Sequence, residues 1–204
     1  MEESKFWDDC YAEGRTGWDR GEVHPALLRW MEAKRLTTPC SIIVPGCGRG
    51  YEVVQLAKHG FDVTGIEIAN EPAEHLRKQL ENYQQNARVI QKNIFDFQPR
   101  LPVDAVYEQT CLCAIEPGQR ADYERAVFQW LKPGGELFAL FVQKPERPNQ
   151  GPPFHCDLED LKVTFPSSRW KWSTENVTAR LDHPSGKLFE LAHVLERRQP
   201  RFKI

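Results

Sequence analysis

The densest chemical signal in this chain is Gly46-Cys47-Gly48-Arg49-Gly50, set between a short apolar run, Ser41-Ile42-Ile43-Val44, and a helical pattern that begins at Tyr51. Glycine lacks a Cβ, so backbone N–H groups in such a loop can come close to a ligand. In open parallel sheets the ligand crevice lies outside the carboxyl ends of the strands. Glu67 ends the next strand-like run, at roughly the 20-residue spacing from which an acid reaches the ribose hydroxyls of an adenosine ligand. A dinucleotide fingerprint, GxGxxG, needs a third small residue at position 51. That position is Tyr51, whose ring would spoil close helix–strand packing and the approach of a pyrophosphate.

GxGxG is instead the spacing found in enzymes that bind S-adenosylmethionine (SAM), a ligand with an amino acid tail and no phosphate. The competing reading is a tight strand-to-helix turn with no ligand. The loop's position, the Glu67 spacing and the downstream elements weigh against it; the glycines alone would not. Methyl transfer from a sulfonium is an in-line displacement, so nucleophile, methyl and sulfur must be held collinear. A base is needed only for acceptors whose pKa lies well above ambient pH. The sequence shows no nucleophile–base pair and no side chain that stands out as catalytic, which fits soft anionic acceptors better than hydroxyls or amines.

Aromatic faces attract a sulfonium by roughly 0.5–2 kcal/mol each. For Trp7, Tyr11 and Trp30, core packing of a helix competes with that role. Trp18 lies between Gly14, Gly17 and Gly21, where a core role is less natural. Glycines flanking one large ring suit a movable cover, so residues 1–22 are expected to order over SAM and bring Trp18 to the transfer centre. Arg15, Arg20 and Arg49 read as solvated surface before they read as anion attractors. Glu108 is either a ligand or a strand-end charge. His155 either lines the acceptor pocket or packs.

Other chemistries are poorly served. Cys10, Cys40, Cys47, Cys111, Cys113 and Cys156 contain no CxxC, and the six histidines form no HExxH, so no metal site is expected and the thiols read as reduced, mostly buried hydrophobes. Arg169, Lys171, Arg197, Arg198, Arg201 and Lys203 interleave with Trp170 and Trp172, but charges alternating with apolar residues also describe a half-exposed strand. With 27 Lys plus Arg against 29 Asp plus Glu, a nucleic-acid partner is not expected.

The elements around these residues follow a βαβ rhythm. Strands are expected at Ser41–Val44, Phe61–Ile66, Arg88–Gln91, Ala105–Tyr107 and Glu136–Val142. Helices are expected at Tyr51–Lys58, from an Asn70 cap to Gln85, and over Pro117–Leu131, with Lys132-Pro133-Gly134-Gly135 as a turn. This pattern predicts an α/β fold, a doubly wound, seven-stranded, mostly parallel sheet. Trp170–Val177 and Leu188–Arg197, joined across Asp182-His183-Pro184-Ser185-Gly186, predict a C-terminal antiparallel hairpin. Pro145, Pro148, Pro152 and Pro153 mark an irregular loop. Lys5–Glu13 and His24–Arg35 look helical. A single domain, 1–204, is expected, with 1–35 as an N-terminal helical cover. No apolar run is long enough for a membrane span, and the acidic, polar start suggests no secretory leader. A cytoplasmic monomer acting on a small-molecule methyl acceptor is expected.

Taken together, these residues resemble Class I SAM-dependent methyltransferases, and more narrowly the thiopurine methyltransferase family. Val44-Pro45-Gly46-Cys47-Gly48 is similar to that family's glycine motif. Cys113-Ala114-Ile115-Glu116-Pro117, Gly151-Pro152-Pro153-Phe154 and the run Trp7 … Tyr11 … Trp18-Asp19-Arg20-Gly21 are similar to its halide/thiol methyltransferase branch. The resemblance spans roughly residues 5–197. It implies SAM contacts from Trp7, Tyr11 and Trp18, with Gly46 and Gly48 facing the methionine tail, Glu67 the ribose, and Asn93 and Ile94 the adenine. Tyr11 stands where the branch usually has tryptophan. Gln109 stands at a cofactor-side position where the branch more often has an aromatic. The implied reaction is methylation of a soft nucleophile: a thiol or bisulfide, a halide, a thiopurine, or a selenium or tellurium species. Two alternatives stand beside it. One is a SAM-binding module of the same fold acting through a partner, and the other an NAD-binding oxidoreductase.

Overall fold

Ile42, Ile43 and Val44 are buried because parallel strands are covered on both faces, which is why this segment is a continuous apolar run rather than an alternating one. The chain's architecture comes from a computed structural model that describes residues 2–144, 146, 150–173, 180–183 and 186–199, and of Glu2 the backbone alone. These gather into two compact units, Met1–Phe97 and Gln98–Ile204.

In the first unit, β1 (Ser41–Pro45), β2 (Asp62–Glu67) and β3 (Arg88–Gln91) are parallel in the order β3-β2-β1. α1 (Glu2–Ala12) and α2 (Pro25–Glu32) precede the sheet, and α3 (Tyr51–Lys58) and α4 (Asn70–Asn82) are its crossovers. α3 buries Val53, Val54, Leu56 and Ala57. It can approach β2 closely because Gly65 has no side chain: a Cβ there would fall 2.9 Å from Cys47 Sγ and 3.1 Å from Val53 Cγ2. α2 starts at Pro25, with His24 as its cap: His24 Nδ1 accepts from the Ala26 N–H at 3.0 Å. The cap of α4 is Ala69 rather than the expected Asn70, and the helix stops at Asn82. α1 lies along this end of α4. Ser4 Oγ donates to the Ile68 carbonyl, and the Asn70 N–H donates to Asp8 Oδ1 at 2.6 Å.

In the second unit, β4 (Val103–Gln109) pairs in parallel with β5 (Leu131–Gln143), and β8 (Phe189–Arg197) runs antiparallel on the other side of β5. β6 (Trp170–Trp172) and β7 (Arg180–Asp182) share the remaining edge of β8, β6 against its end and β7 against its start. The expected hairpin is therefore present as antiparallel pairing, but its outer side is two short strands. This brings the described strands to eight, one more than expected. Residues 174–179, Pro184, Ser185, Pro145, Pro148, Arg201 and Lys203 lie outside the described residues. β5 begins at Leu131, so the expected Lys132–Gly135 turn is an irregular stretch of strand with a register shift opposite Val103 and Ala105. α5 (Arg120–Trp130) is preceded by a 3-10 turn over Pro117–Gln119. α6 (Leu158–Thr164) is unforeseen; Asp157 caps it, accepting from the Glu159 and Asp160 N–H groups.

Among the described residues, several basic side chains of the C-terminal segment already have partners. Arg169 pairs with Glu124, Lys171 with Glu196, and Arg198 donates to the Ser167 carbonyl. Trp170 is fully buried and donates to Glu124. All six cysteines are free thiols, five of them buried. Among the described residues no helix is long and apolar enough to cross a membrane, and no three His, Cys, Asp or Glu side chains gather as a metal site.

On one face of this unit Phe141 meets Phe165, Trp172 and His193 at centroid distances of 6.2, 5.9 and 5.7 Å. His193 Nε2 is buried with no hydrogen-bond partner among the described residues. Burial, reinforced by the Lys162 ammonium, holds the His193 pKa below the usual imidazole value. The neutral ring is thus the form the fold prefers. Its contribution is complete above the unfolded pKa and is lost as pH falls through the folded one. The melting temperature should drop between pH 7 and pH 5, and His193→Phe should flatten that limb; an equal drop in both proteins would contradict this reading.

Candidate functional site

Gly46, Gly48 and Gly50 all have positive φ, at 56°, 53° and 77°. That is the left-handed region which L side chains enter at a cost of roughly 1–2 kcal/mol, so the spacing of these glycines is a backbone requirement. Gly48 and Gly50 face different neighbours. A Cβ at Gly50 would fall 2.3 Å from Leu76 Cδ1 of α4, which makes this glycine a packing necessity. A Cβ at Gly48 would fall 3.0 Å from the Tyr11 hydroxyl. Tyr51, where a dinucleotide loop would have a small residue, is half-buried, and burial and then the Asp19 charge push its pKa up.

Glu67 joins the ends of β1 and β2. Its Oε2 accepts the Gly48 N–H at 2.8 Å and its Oε1 the Ala69 N–H at 2.9 Å. Burial pushes its pKa up, and those N–H groups oppose the shift by favouring the carboxylate. A carboxylate offers about four lone-pair positions. The Gly48 and Ala69 donors occupy one on each oxygen, and the Ile68 N–H further favours the charged form.

The N-terminal aromatics gather on this same unit. Trp18 stands edge-on to Trp7 at 5.3 Å and to Tyr11 at 5.8 Å, and its Nε1 donates to the Tyr11 hydroxyl at 3.4 Å. Burial and then the charge of Glu67 push the Tyr11 pKa up, so its phenol stays protonated. Trp30, by contrast, is a core residue of α2. The Trp18 segment is tied down by Asp19, which lies 3.6 Å from the Arg49 guanidinium; Arg49 also pairs with Glu71 at 3.3 Å. Arg49 is therefore a partly exposed bridge between Asp19 and Glu71, while Arg15 pairs with Glu13 at the exposed end of α1. Asn93 Oδ1 caps the turn at Ile94–Asp96 and its Nδ2 donates to Glu3 Oε2, so Asn93 and Ile94 are held beside α1. The structure thus brings Trp7, Tyr11, Trp18, Gly48 and Glu67 together, with Asn93 and Ile94 at the end of the adjoining strand.

Gln109 lies in the second unit, at the end of β4, where its Oε1 accepts from the Tyr107 hydroxyl at 3.0 Å. Its neighbour Glu108 is not a strand-end surface charge. Glu108 is fully buried, its Oε1 accepting the Leu112 N–H at 2.9 Å and its Oε2 the Tyr123 hydroxyl. Burial, against the opposing pull of those two donors, raises its pKa to about 7. His155 is a loop strut: Nδ1 accepts the Lys144 N–H at 3.0 Å and its carbonyl accepts from Arg120. The Glu108–Tyr123 pair and the Arg49 contacts were invisible to motif reading, because their partners are distant in sequence.

Comparison with known proteins gives the family and the fold. The model of the family described as thiopurine S-methyltransferase matches residues 2–197. A thiopurine S-methyltransferase of Legionella pneumophila (strain Paris) is 27% identical over 201 residues, covering 91% of this chain and 90% of that protein. A probable thiol methyltransferase 2 of Arabidopsis thaliana is 32% identical over 164 residues, covering 78% and 71%. Among solved structures, the 1,6-didemethyltoxoflavin-N1-methyltransferase of Burkholderia thailandensis with bound S-adenosylhomocysteine has a TM-score of 0.76 at 15% identity, covering 96% of this chain and 87% of that one. The magnesium protoporphyrin IX methyltransferase of Synechocystis PCC 6803 has a TM-score of 0.75 at 10% identity, covering 95% and 97%. These likenesses show the fold, the doubly wound α/β architecture of SAM-dependent methyltransferases.

The two glycines should separate on substitution. Gly50→Ala combines left-handed strain with overpacking against Leu76 and should cost about 2–4 kcal/mol of stability. Gly48→Ala should cost about 1–2 kcal/mol of stability and lower SAM affinity more than Gly50→Ala does. Thermal denaturation with calorimetric SAM titration checks both; equal effects of the two variants on affinity and stability would refute the division.

Proposed function

Because the chain belongs to the thiopurine S-methyltransferase family, we propose that it transfers a methyl group from SAM to a small soft nucleophile, with sulfur anions as the leading acceptor class. The observation that carries this reading is the clamped Glu67 beside the glycine loop. The residues fit the cofactor: Glu67 has lone pairs to spare for two ribose hydroxyls, and Gly48 puts no side chain between the loop backbone and the Tyr11 hydroxyl. When bound, SAM supplies a methyl group activated on a sulfonium. Around it Gly46 and Gly48 admit the amino acid tail, Glu67 orients the ribose, and the backbone at Asn93 and Ile94 frames the adenine. Trp7, Tyr11 and Trp18 present aromatic faces to the positive charge and exclude water. Gln109 ends a strand at the edge where the fold binds its ligands. A thiol that is already ionised needs no protein base. The relatives named for thiopurine, thiol and thiocyanate support sulfur as the accepting atom.

The chain works as one domain, 1–204, with residues 1–35 as its cover. It is a cytoplasmic monomer with no nucleic-acid partner. A formal net charge of −2, and basic side chains already engaged by Glu124, Glu196 and backbone carbonyls, support the last point.

Two measurements test this reading. In an acceptor panel of bisulfide, thiocyanate, iodide, a thiopurine and tellurite, demethylated cofactor should form with the soft anions; SAM binding without turnover on any of them would contradict it. Trp18→Ala should weaken SAM binding by about 1–2 kcal/mol and leave the unliganded melting temperature nearly unchanged. A large loss of melting temperature at unchanged affinity would make Trp18 a structural anchor instead.

A further inference from the structure

In this fold ligands lie outside the carboxyl ends of the parallel strands, and in the second unit two such ends are neighbours, with Gln109 of β4 opposite Leu140 of β5. The chain leaves β4 through Thr110, a β-branched residue at φ 57°. A non-glycine residue in the left-handed region persists only where its surroundings over-determine it, and such residues gather at functional sites. Here the determining group is Glu108. One carboxylate oxygen accepts the N–H of Leu112, two residues past Thr110, and the other accepts the Tyr123 hydroxyl from α5. Thr110 Oγ1 donates to the Gln109 carbonyl at 2.7 Å, and Cys113 Sγ donates to the Thr110 carbonyl at 3.3 Å. The corner is also tied to the loop after β5. The Phe154 N–H donates to the Cys113 carbonyl at 2.6 Å, and Arg120, one turn before Tyr123 on α5, donates to the His155 carbonyl at 3.0 Å.

A carboxylate buried between sheet and helix costs desolvation that an apolar residue of similar volume would avoid. Stability alone therefore does not account for an acid at position 108. Alternation along β4 sends Glu108 to one face and Tyr107 and Gln109 to the other, so the acid itself does not share the face of Gln109. It acts through the backbone. We propose that Glu108, braced by Tyr123, is the positioning residue of the methyl-acceptor side of the site, fixing the Gln109–Leu112 corner against which a small anionic acceptor is held. This rests on the methyl-transfer reading above. It adds that the acceptor is held by a corner of the second unit that a buried acid locks through the backbone.

Glu108→Gln and Tyr123→Phe test it, with bisulfide and thiocyanate as acceptors and SAM affinity measured by calorimetry. Both variants should keep SAM dissociation constants within about twofold of wild type while kcat/KM for the acceptor falls about tenfold or more, Tyr123→Phe less than Glu108→Gln. Should Glu108→Gln fail to fold, Tyr123→Phe alone carries the test, since it leaves the Leu112 bond in place. Unchanged kcat/KM in a folded variant, or parallel losses of SAM affinity and turnover, would overturn the proposal. If wild-type protein binds SAM but turns over neither probe, the acceptor reading fails. Amide hydrogen exchange then judges the positioning separately: Glu108→Gln should speed exchange at Cys111–Ala114 and leave the Gly46–Gly50 amides unchanged, and no difference at Cys111–Ala114 would overturn it.

Discussion

Two backbone N–H groups, those of Gly48 and Ala69, converge on one buried carboxylate, Glu67, and the glycine-loop end of the first unit is organised by that convergence. A buried acid is tolerated only when its oxygens are satisfied. Gly48 can present its N–H there because its φ of 53° is open to glycine. Ala69 can present its own because it caps α4 from the end of β2. The glycine loop, the helix start and the acid are therefore one unit of geometry. Moving any of them leaves a buried polar group unpaired, a loss of about 1–3 kcal/mol.

The aromatic cluster of Trp7, Tyr11 and Trp18 depends on the same loop. The Tyr11 hydroxyl occupies the space above Gly48, Trp18 donates to that hydroxyl, and Asp19 reaches the Arg49 guanidinium of the loop itself. The second unit repeats the device in another form, with Glu108 buried and held by one backbone N–H and one phenol. In both cases an acid at or next to the carboxyl end of a parallel strand accepts one N–H from the turn that follows it and a second donor from farther away in the sequence.

Much of this could be read from the sequence, and for identifiable reasons. β1 is an apolar run bounded by Pro39 and Gly46, and the loop is legible because left-handed backbone demands glycine at 46, 48 and 50. The place of Glu67 beside the loop was legible because it follows from the spacing of two adjacent parallel strands. α6 was not, since seven residues carry too little periodicity; only Asp157 before Leu158-Glu159-Asp160 marks its start. β7 is three residues long and exists because β8 leaves part of its edge unpaired beyond β6. Asn70 looked like a cap, yet its N–H is taken by Asp8 of α1, a contact across the fold that local preference does not encode. The burial of Glu108 likewise depends on Tyr123, fifteen residues away on a helix.

The central claim is that the Glu67 carboxylate, already clamped by two amides, is the group that holds SAM. Calorimetric titration of SAM and its demethylated product into wild-type protein and Glu67→Gln tests it most directly. The amide of glutamine keeps one acceptor oxygen and sets an NH2 against a backbone or ribose donor. Losing hydrogen bonds to a charged group is worth roughly 1.5–3 kcal/mol, so affinity for both ligands should fall about tenfold or more while the variant remains folded by circular dichroism. Unaltered affinity in a folded Glu67→Gln protein would contradict the account.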